Sequence, residues 1–264
     1  FRRVLFRSLG SLRIIFTTFV IIIFSYKSLI KIKKEKWKWI IITAYVGTFF
    51  PVYLVGFGQT QIDSGLASIL TTLTPISTLV VGVFFFNLFF TRKQVLGLVI
   101  GLIGGFLLLY EGSLNTDSNI YFAIFIVLTT IGYGTSVNLI KTYLTDIPPA
   151  AVTAGFFLSI LPPAVIILLF SDFESLNFSN KEVLYSILYV FILGVFSSAI
   201  AQTLFNKFVK IASPLFASAV TYTMPVVAIL WAVLDGEELT IKQYFASLII
   251  LFGVYLVNQK EKIT

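Results

Sequence analysis

Successive apolar runs, each close to the length that crosses a bilayer and separated by short polar breaks, constrain this chain more than any other feature. Val95 to Tyr110 and Ile160 to Phe170 carry no charge and lack the in-out alternation of a membrane β-strand. Hydrocarbon offers no partner to backbone N–H and C=O groups, so runs of this kind must be helices. The supply of polar residues agrees. With 58% hydrophobic and 12% charged side chains, against about 25% charged in a soluble domain, the chain cannot furnish a water-facing shell. The fold class is all-α, a polytopic transmembrane helical bundle.

Apolar segments fall at about 9–25, 39–58, 65–90, 94–110, 119–140, 148–171, 184–206, 214–234 and 244–258, which predicts nine helices. Phe1 to Ser8, FRRVLFRS, resembles a translated sequencing adapter, the other reading being a basic amphipathic lead-in. These residues are set aside. On that view the natural chain begins near Leu9, with upstream sequence missing. There is no Cys and no His, so disulfides, thiolate or imidazole metal sites and histidine general bases are excluded. No cofactor and no metal are expected, and the chain is not expected to be an enzyme.

Charge sets the orientation, because cytoplasmic loops collect Lys and Arg. If 25–38 is cytoplasmic, alternate connections hold Lys27, Lys31, Lys33, Lys34, Lys36, Lys38, Arg92, Lys93, Lys141, Lys207, Lys210, Lys260 and Lys262 against Glu35, Asp146 and Glu261. The remaining connections hold Asp63, Glu111, Asp117, Asp172, Glu174, Glu182, Asp235, Glu237 and Glu238 against Lys181 and Lys242. A basic run alone could signal nucleic acid or anionic lipid, but its alternation with every crossing makes it a topology signal, and no nucleic acid partner is expected. The C-terminus is then cytoplasmic. Every acidic residue falls in a loop, and the only basic residue inside a span is Arg13, near the outer end of the first. Carboxylate-based proton coupling is therefore disfavoured.

The chain also repeats itself. Ala67-Ser68-Ile69-Leu70-Thr71-Thr72-Leu73-Thr74-Pro75 aligns at an offset of 150 with Ala217-Ser218-Ala219-Val220-Thr221-Tyr222-Thr223-Met224-Pro225, four of nine positions being identical. After a one-residue gap, Lys93-Gln94 meets Lys242-Gln243 and Gly104-Gly105 precedes Phe106-Leu107 as Gly253-Val254 precedes Tyr255-Leu256. The matched helices run in opposite directions under the assigned topology. An inverted repeat places substrate near the midplane between the halves and lets their rocking alternate access.

Gly65-Leu66-Ala67-Ser68 through Pro75, followed by Lys93-Gln94 and a Gly-rich helix, resembles the EamA domain of the drug/metabolite transporter superfamily. The second copy resembles it more closely, with Ala217-Ser218, Pro225, Gly236-Glu237-Glu238-Leu239-Thr240, Gln243 and Gly253. Leu12-Arg13-Ile14-Ile15-Phe16 is similar to the family's arginine-bearing second helix. The resemblance implies a five-plus-five transporter with both termini cytoplasmic. The expected domains are 1–8 as non-native sequence, 9–111 as a first repeat lacking its first helix, 119–258 as the second repeat and 259–264 as a cytoplasmic tail. The first copy departs from the pattern, having Asn87-Leu88 where the second has Gly236-Glu237.

Polar groups inside apolar helices are the substrate-pathway candidates. Thr71, Thr72 and Thr74 surround Pro75, matched by Thr221, Tyr222 and Thr223 around Pro225; a proline frees a carbonyl, although such threonines can equally bond their own backbone. Gln202 and Thr203, with Asn206, carry groups costly to expose to lipid, for which interhelical hydrogen bonding is the plainer role. Asn206 lies near the cytoplasmic end, where solvation suffices, so Gln202 is preferred. Tyr53, Tyr133, Tyr222 and Trp231 could stack on a solute, and Asn138 lies near Tyr133 beyond a glycine-loosened turn; packing and lipid contact explain most aromatics. Gly97, Gly101 and Gly105 form a stripe for helix packing, which their counterparts Ala246, Ile250 and Val254 lack. Pro75, Pro225, Pro162 and Pro163 are hinge or kink candidates. The expected function is a multi-pass plasma (inner) membrane carrier of a small organic solute, an amino acid, metabolite or drug. The lack of intramembrane carboxylates favours neutral or zwitterionic solutes. A noncatalytic scaffold or lipid-handling protein is the alternative. The partners are the solute and the bilayer, a homo-oligomer is compatible with the sequence, and the Ile, Phe and Lys bias points to an AT-rich bacterial genome.

Overall fold

A computed structural model describes residues 2–62, 64–110, 120–171, 181–224, 226–227 and 241–259. Among them every regular element is helical: α1 (Arg2–Leu29), α2 (Lys34–Gly58), α3 (Ser64–Thr71), α4 (Thr74–Phe86), α5 (Arg92–Tyr110), α6 (Ala123–Tyr143), α7 (Pro149–Leu169), α8 (Lys181–Ile211), α9 (Pro214–Ala219) and α10 (Ile241–Asn258). Six are long and apolar enough to cross a membrane; α4 is a shorter apolar helix and α5 runs for 19 residues. The chain is a polytopic membrane bundle.

The helix ends follow local chemistry. Pro149 stands in the first turn of α7, where its missing N–H is not needed, and the Ser213 hydroxyl accepts from Phe216 N at 3.1 Å to cap α9. Thr91 and Gln94 cap α5 reciprocally, Thr91 N donating to Gln94 Oε1 at 3.0 Å and Gln94 N to Thr91 Oγ1 at 3.2 Å. The capping box gives the Gln94 of the repeated Lys-Gln pair a structural role. Asn87 closes α4 with φ of 51°, a left-handed cap that asparagine tolerates. The span expected at 65–90 is two helices rather than one, since Pro75 opens α4 in its first turn and Thr72–Leu73 form a turn between α3 and α4. By contrast α7 continues through Pro162 and Pro163. Helix α1 reaches back to Arg2, and the buried Ser8 hydroxyl donates to Ser171 Oγ at 3.0 Å.

Two of the spanning helices each contain a π turn, at Tyr45–Phe49 in α2 and Gly194–Ile200 in α8. Their middle residues, Gly47 and Ser197, are separated by the same 150 positions that relate Ala67 to Ala217. Each π turn adds a residue to a helical turn and leaves a carbonyl without its usual donor. The Thr17 hydroxyl, 2.6 Å from Arg13 O in its own helix, also lies 3.1 Å from Gly194 O at the start of the second π turn. At the other turn Gly132 of α6 lets Val46 O approach so closely that a Cβ would lie 2.5 Å from it.

Helices α1 and α7 pack side by side, α6 lies across α2 and α4, and α5 packs along α10. The last contact is antiparallel: Cβ atoms built on Gly97, Gly101 and Gly104 would meet Leu256, Tyr222 and Ile250 at 2.8, 2.7 and 2.9 Å, and one on Gly253 would lie 2.5 Å from Gly101 N. The stripe therefore packs against its own repeat counterpart. Gly101 on Gly253 and Gly104 on Ile250 are the two contacts that a two-fold relation between α5 and α10 interchanges. Gly105 points elsewhere, to Thr72 Cγ2.

Candidate functional site

Where α1, α2, α6, α7 and α8 meet, they enclose a cavity of about 100 Å³ lined by Arg13, Ile14, Gly47, Thr48, Val52, Tyr133, Phe157, Ser197, Ser198 and Gln202. Both π turns face it. The lining contributed by α2 and α8 is register-matched: Gly47 with Ser197, Thr48 with Ser198, and Val52 with Gln202 all share the 150-residue offset. One half supplies Gly47, the Thr48 hydroxyl and Val52 at these positions, and the other supplies two hydroxyls and an amide.

Arg13 is the charged group of the cavity. Its Nε donates to Ser198 Oγ at 2.6 Å and its Nη2 to Ser197 Oγ at 2.9 Å. Ser197 and Ser198 stand near the middle of α8, roughly 20 Å of helix from either end at 1.5 Å per residue, and Gly47 and Thr48 are equally central in α2. Arg13, half-buried, thus lies level with the middles of α2 and α8 and not near the outer end expected of it. The apolar window 9–25 begins where the apolar span of α1 does, at Ser8; hydropathy carries no information on which turn of a neighbouring helix a side chain meets.

Gln202 and Tyr133 line the cavity. Gln202 Nε2 donates to Asn206 Oδ1 at 3.2 Å, Asn206 Nδ2 donates to Thr153 Oγ1 at 3.0 Å, and the Thr203 hydroxyl lies 3.1 Å from the same Thr153 oxygen. These groups make a polar chain between α7 and α8 running away from the cavity. Asn206 is fully buried, so solvation does not account for it. Tyr53 bonds Ser11 at 2.8 Å and lines a separate apolar recess of about 460 Å³ with Phe57, Ile166 and Phe170.

The threonines lie apart from the cavity. Thr71, Thr74 and Thr221 donate to Ser68 O, Thr71 O and Ser218 O at 2.7, 2.7 and 2.9 Å, satisfying local backbone, and Thr72 borders an apolar recess beside Leu102 and Phe106. Tyr222 is buried under Gly101 with its hydroxyl 3.3 Å from Leu98 O. Asn138 Nδ2 joins α6 to α4 through Thr78 O at 2.9 Å. Pro75, Pro162 and Pro163 do not line the cavity, while Pro225 and Trp231 lie outside the described residues. Sequence reasoning passed over Arg13, Thr48, Ser197 and Ser198 as site residues. The available signal was a lone basic residue within an apolar span, together with a serine pair inside another.

The sequence model of the EamA-like transporter family matches the chain twice, at residues 3–110 and 120–259. The chain belongs to that family. Among its relatives, an uncharacterized transporter of Archaeoglobus fulgidus is 27% identical over 87% of this EamA chain and 81% of its own length. The uncharacterized inner membrane transporter YedA of Escherichia coli K12 is 30% identical over 75% of this chain, which spans 63% of that relative. A crystal structure 17% identical in sequence superposes with a TM-score of 0.76, covering 95% of this chain and 86% of the other. That likeness concerns the fold. The family makes this protein a membrane transporter, and the described residues contain no group of His, Cys, Asp and Glu able to hold a metal.

Proposed function

We propose that this EamA protein moves a small organic solute, an amino acid, metabolite or drug-like molecule, across the inner membrane by alternating access between two inverted halves. The observation that carries this reading is the cavity itself, which is lined by matched positions of the π turns in α2 and α8. Pseudo-symmetric halves can exchange conformations about such a site, presenting it to each side in turn. The antiparallel contact of α5 with α10 supplies an axis that need not come apart. A cavity of about 100 Å³ is well below the roughly 300 Å³ of a drug-sized pocket, which fits a closed or partly closed state or a solute of few heavy atoms.

Orientation rests on the basic end of the bundle. Lys36 Nζ bonds Tyr143 O at 2.8 Å, Lys141 Nζ bonds Lys210 O at 2.7 Å, and Lys210 Nζ bonds Ile147 O. Positive residues of successive helices thus converge at one face, the cytoplasmic one under the positive-inside rule, and the C-terminus follows there. With no native cysteine, Ser28→Cys and Ser186→Cys can be labelled separately in intact cells. Labelling of position 186 alone by an impermeant reagent is the expected result. Transport itself is tested by saturable flux across a metabolite panel in proteoliposomes; a chain that folds and inserts yet moves nothing in either direction is no carrier.

A further inference from the structure

We infer that the solute carried bears a carboxylate and that Arg13 is the group that binds it. This rests on the carrier reading above and names its substrate class. A guanidinium deep inside a bilayer protein costs several kcal/mol unless paired or placed in a polar cavity. Here two neutral serine hydroxyls orient it, and among the described residues no Asp or Glu lines the cavity. Among the described residues the ion pair is Lys36 with Asp146, at the basic end of the bundle.

The geometry of the donors sharpens the assignment. Ser198 and Ser197 take Nε and Nη2, one edge of the planar fork. The end edge, formed by Nη1 with the second hydrogen of Nη2, keeps the parallel N–H pair that matches a carboxylate. Thr48, Tyr133 and Gln202 add neutral hydrogen-bonding groups to the lining, while Ile14 and Phe157 supply apolar wall for a short side chain. A positive cavity with no carboxylate among its described lining residues selects against an amine lacking a carboxylate, since none of them would neutralise an ammonium. The serines sit on the π turn of the second half and Arg13 on a helix of the first, so binding at the fork touches both moving bodies.

The test uses the full chain in proteoliposomes with matched probes: L-lactate, L-alanine, lactamide and alaninol. Saturable uptake of lactate, alanine or both, mutually competitive where both move, with lactamide and alaninol at least tenfold slower, is the expected result. Lactate alone identifies simple organic acids, and alanine alone or with lactate identifies amino acids as accepted. Arg13→Gln should abolish the carboxylate flux, and Arg13→Lys, which keeps the charge but not the fork, should raise KM about tenfold with a smaller change in maximal rate. Should Arg13→Gln fail to fold, the probe selectivity of the unaltered chain and the KM of Arg13→Lys decide. Uptake of lactamide or alaninol matching or exceeding that of the carboxylates overturns the inference while leaving the carrier intact, as does undiminished carboxylate flux in a folded Arg13→Gln protein. If neither these probes nor any solute of the wider metabolite panel moves, the carrier reading fails and the inference falls with it.

Discussion

Helices α2 and α8 occupy matched places in the two halves and break their hydrogen-bond ladder at the same register, yet they face the cavity with unequal polarity. In α2 the residues are Gly47, Thr48 and Val52; in α8 they are Ser197, Ser198 and Gln202. Their surroundings explain the difference. Gly47 lies against Ser136 of α6, so closely that any Cβ on it would overlap the Ser136 side chain, whereas Ser197 has room and meets the Arg13 guanidinium. Duplication supplies the geometry of the site and divergence at two positions, Gly47 against Ser197 and Val52 against Gln202, supplies its added polarity. A carrier built this way need not be chemically symmetric to be mechanically symmetric.

Exchanging residues between the matched positions breaks that comparison most directly. Gly47→Ser installs the counterpart's residue where Cβ has no space and should destabilise the protein by about 3 kcal/mol or prevent folding. The reverse exchange, Ser197→Gly, should cost only about 1 kcal/mol, mainly through the flexibility of glycine in a helix. Thermal unfolding in detergent, followed by size-exclusion chromatography, reads both. Equal losses would mean that the two π turns are equally packed, and the asymmetry argued here would be gone.

A second contrast lies along the α5 and α10 seam. A Cβ on Gly253 would meet backbone, Gly101 N at 2.5 Å and Gly97 O at 2.7 Å, while one on Gly105 would meet the methyl of Thr72 at 3.3 Å. Backbone cannot step aside and a threonine rotamer can. Gly253→Ala should therefore lose about 2 kcal/mol and Gly105→Ala less than about 0.5 kcal/mol. Similar losses at both positions would dissolve the distinction between a rigid axis and an ordinary packed face.

These particulars also mark what a sequence of this kind discloses. Long uncharged runs and a doubled motif made the helices and the halves legible, since lipid forbids most other arrangements of such segments. The break before Pro75 was foreshadowed because proline removes a donor. The π turns were invisible, for an extra residue inside Tyr45–Phe49 or Gly194–Ile200 changes neither hydropathy nor composition. Small-residue spacing disclosed Gly97 and Gly101 but not their partner helix, and it chose Gly105 where Gly104 faces α10. Arg13 was noticed as unusual, yet its level in the bundle depended on the helices it meets.

The smallest expected effect concerns Lys36 and Asp146, a contact without a matched counterpart, since Ser186 stands at the position related to Lys36. Lys36 Nζ lies 2.8 Å from Asp146 Oδ1 and joins the first half to the connection between α6 and α7. That hydrogen bond is the chief cause holding the Asp146 carboxyl below its ordinary value of 3.8. A carboxyl depressed in the folded state stabilises fully above its unfolded pKa and loses that contribution as pH falls through the lower folded value. The pair is largely exposed, with side-chain accessibilities of 27% and 56%, so its worth is at most about 1 kcal/mol. The stability difference between the unaltered chain and Asp146→Asn should accordingly stay constant from near neutral pH down to about pH 5, then shrink below the ordinary carboxylate range. Salt should shrink it too. A difference that instead grew on acidification would place the stabilising charge elsewhere at the basic end, leaving Lys36 with Tyr143 O alone as its tie between the halves.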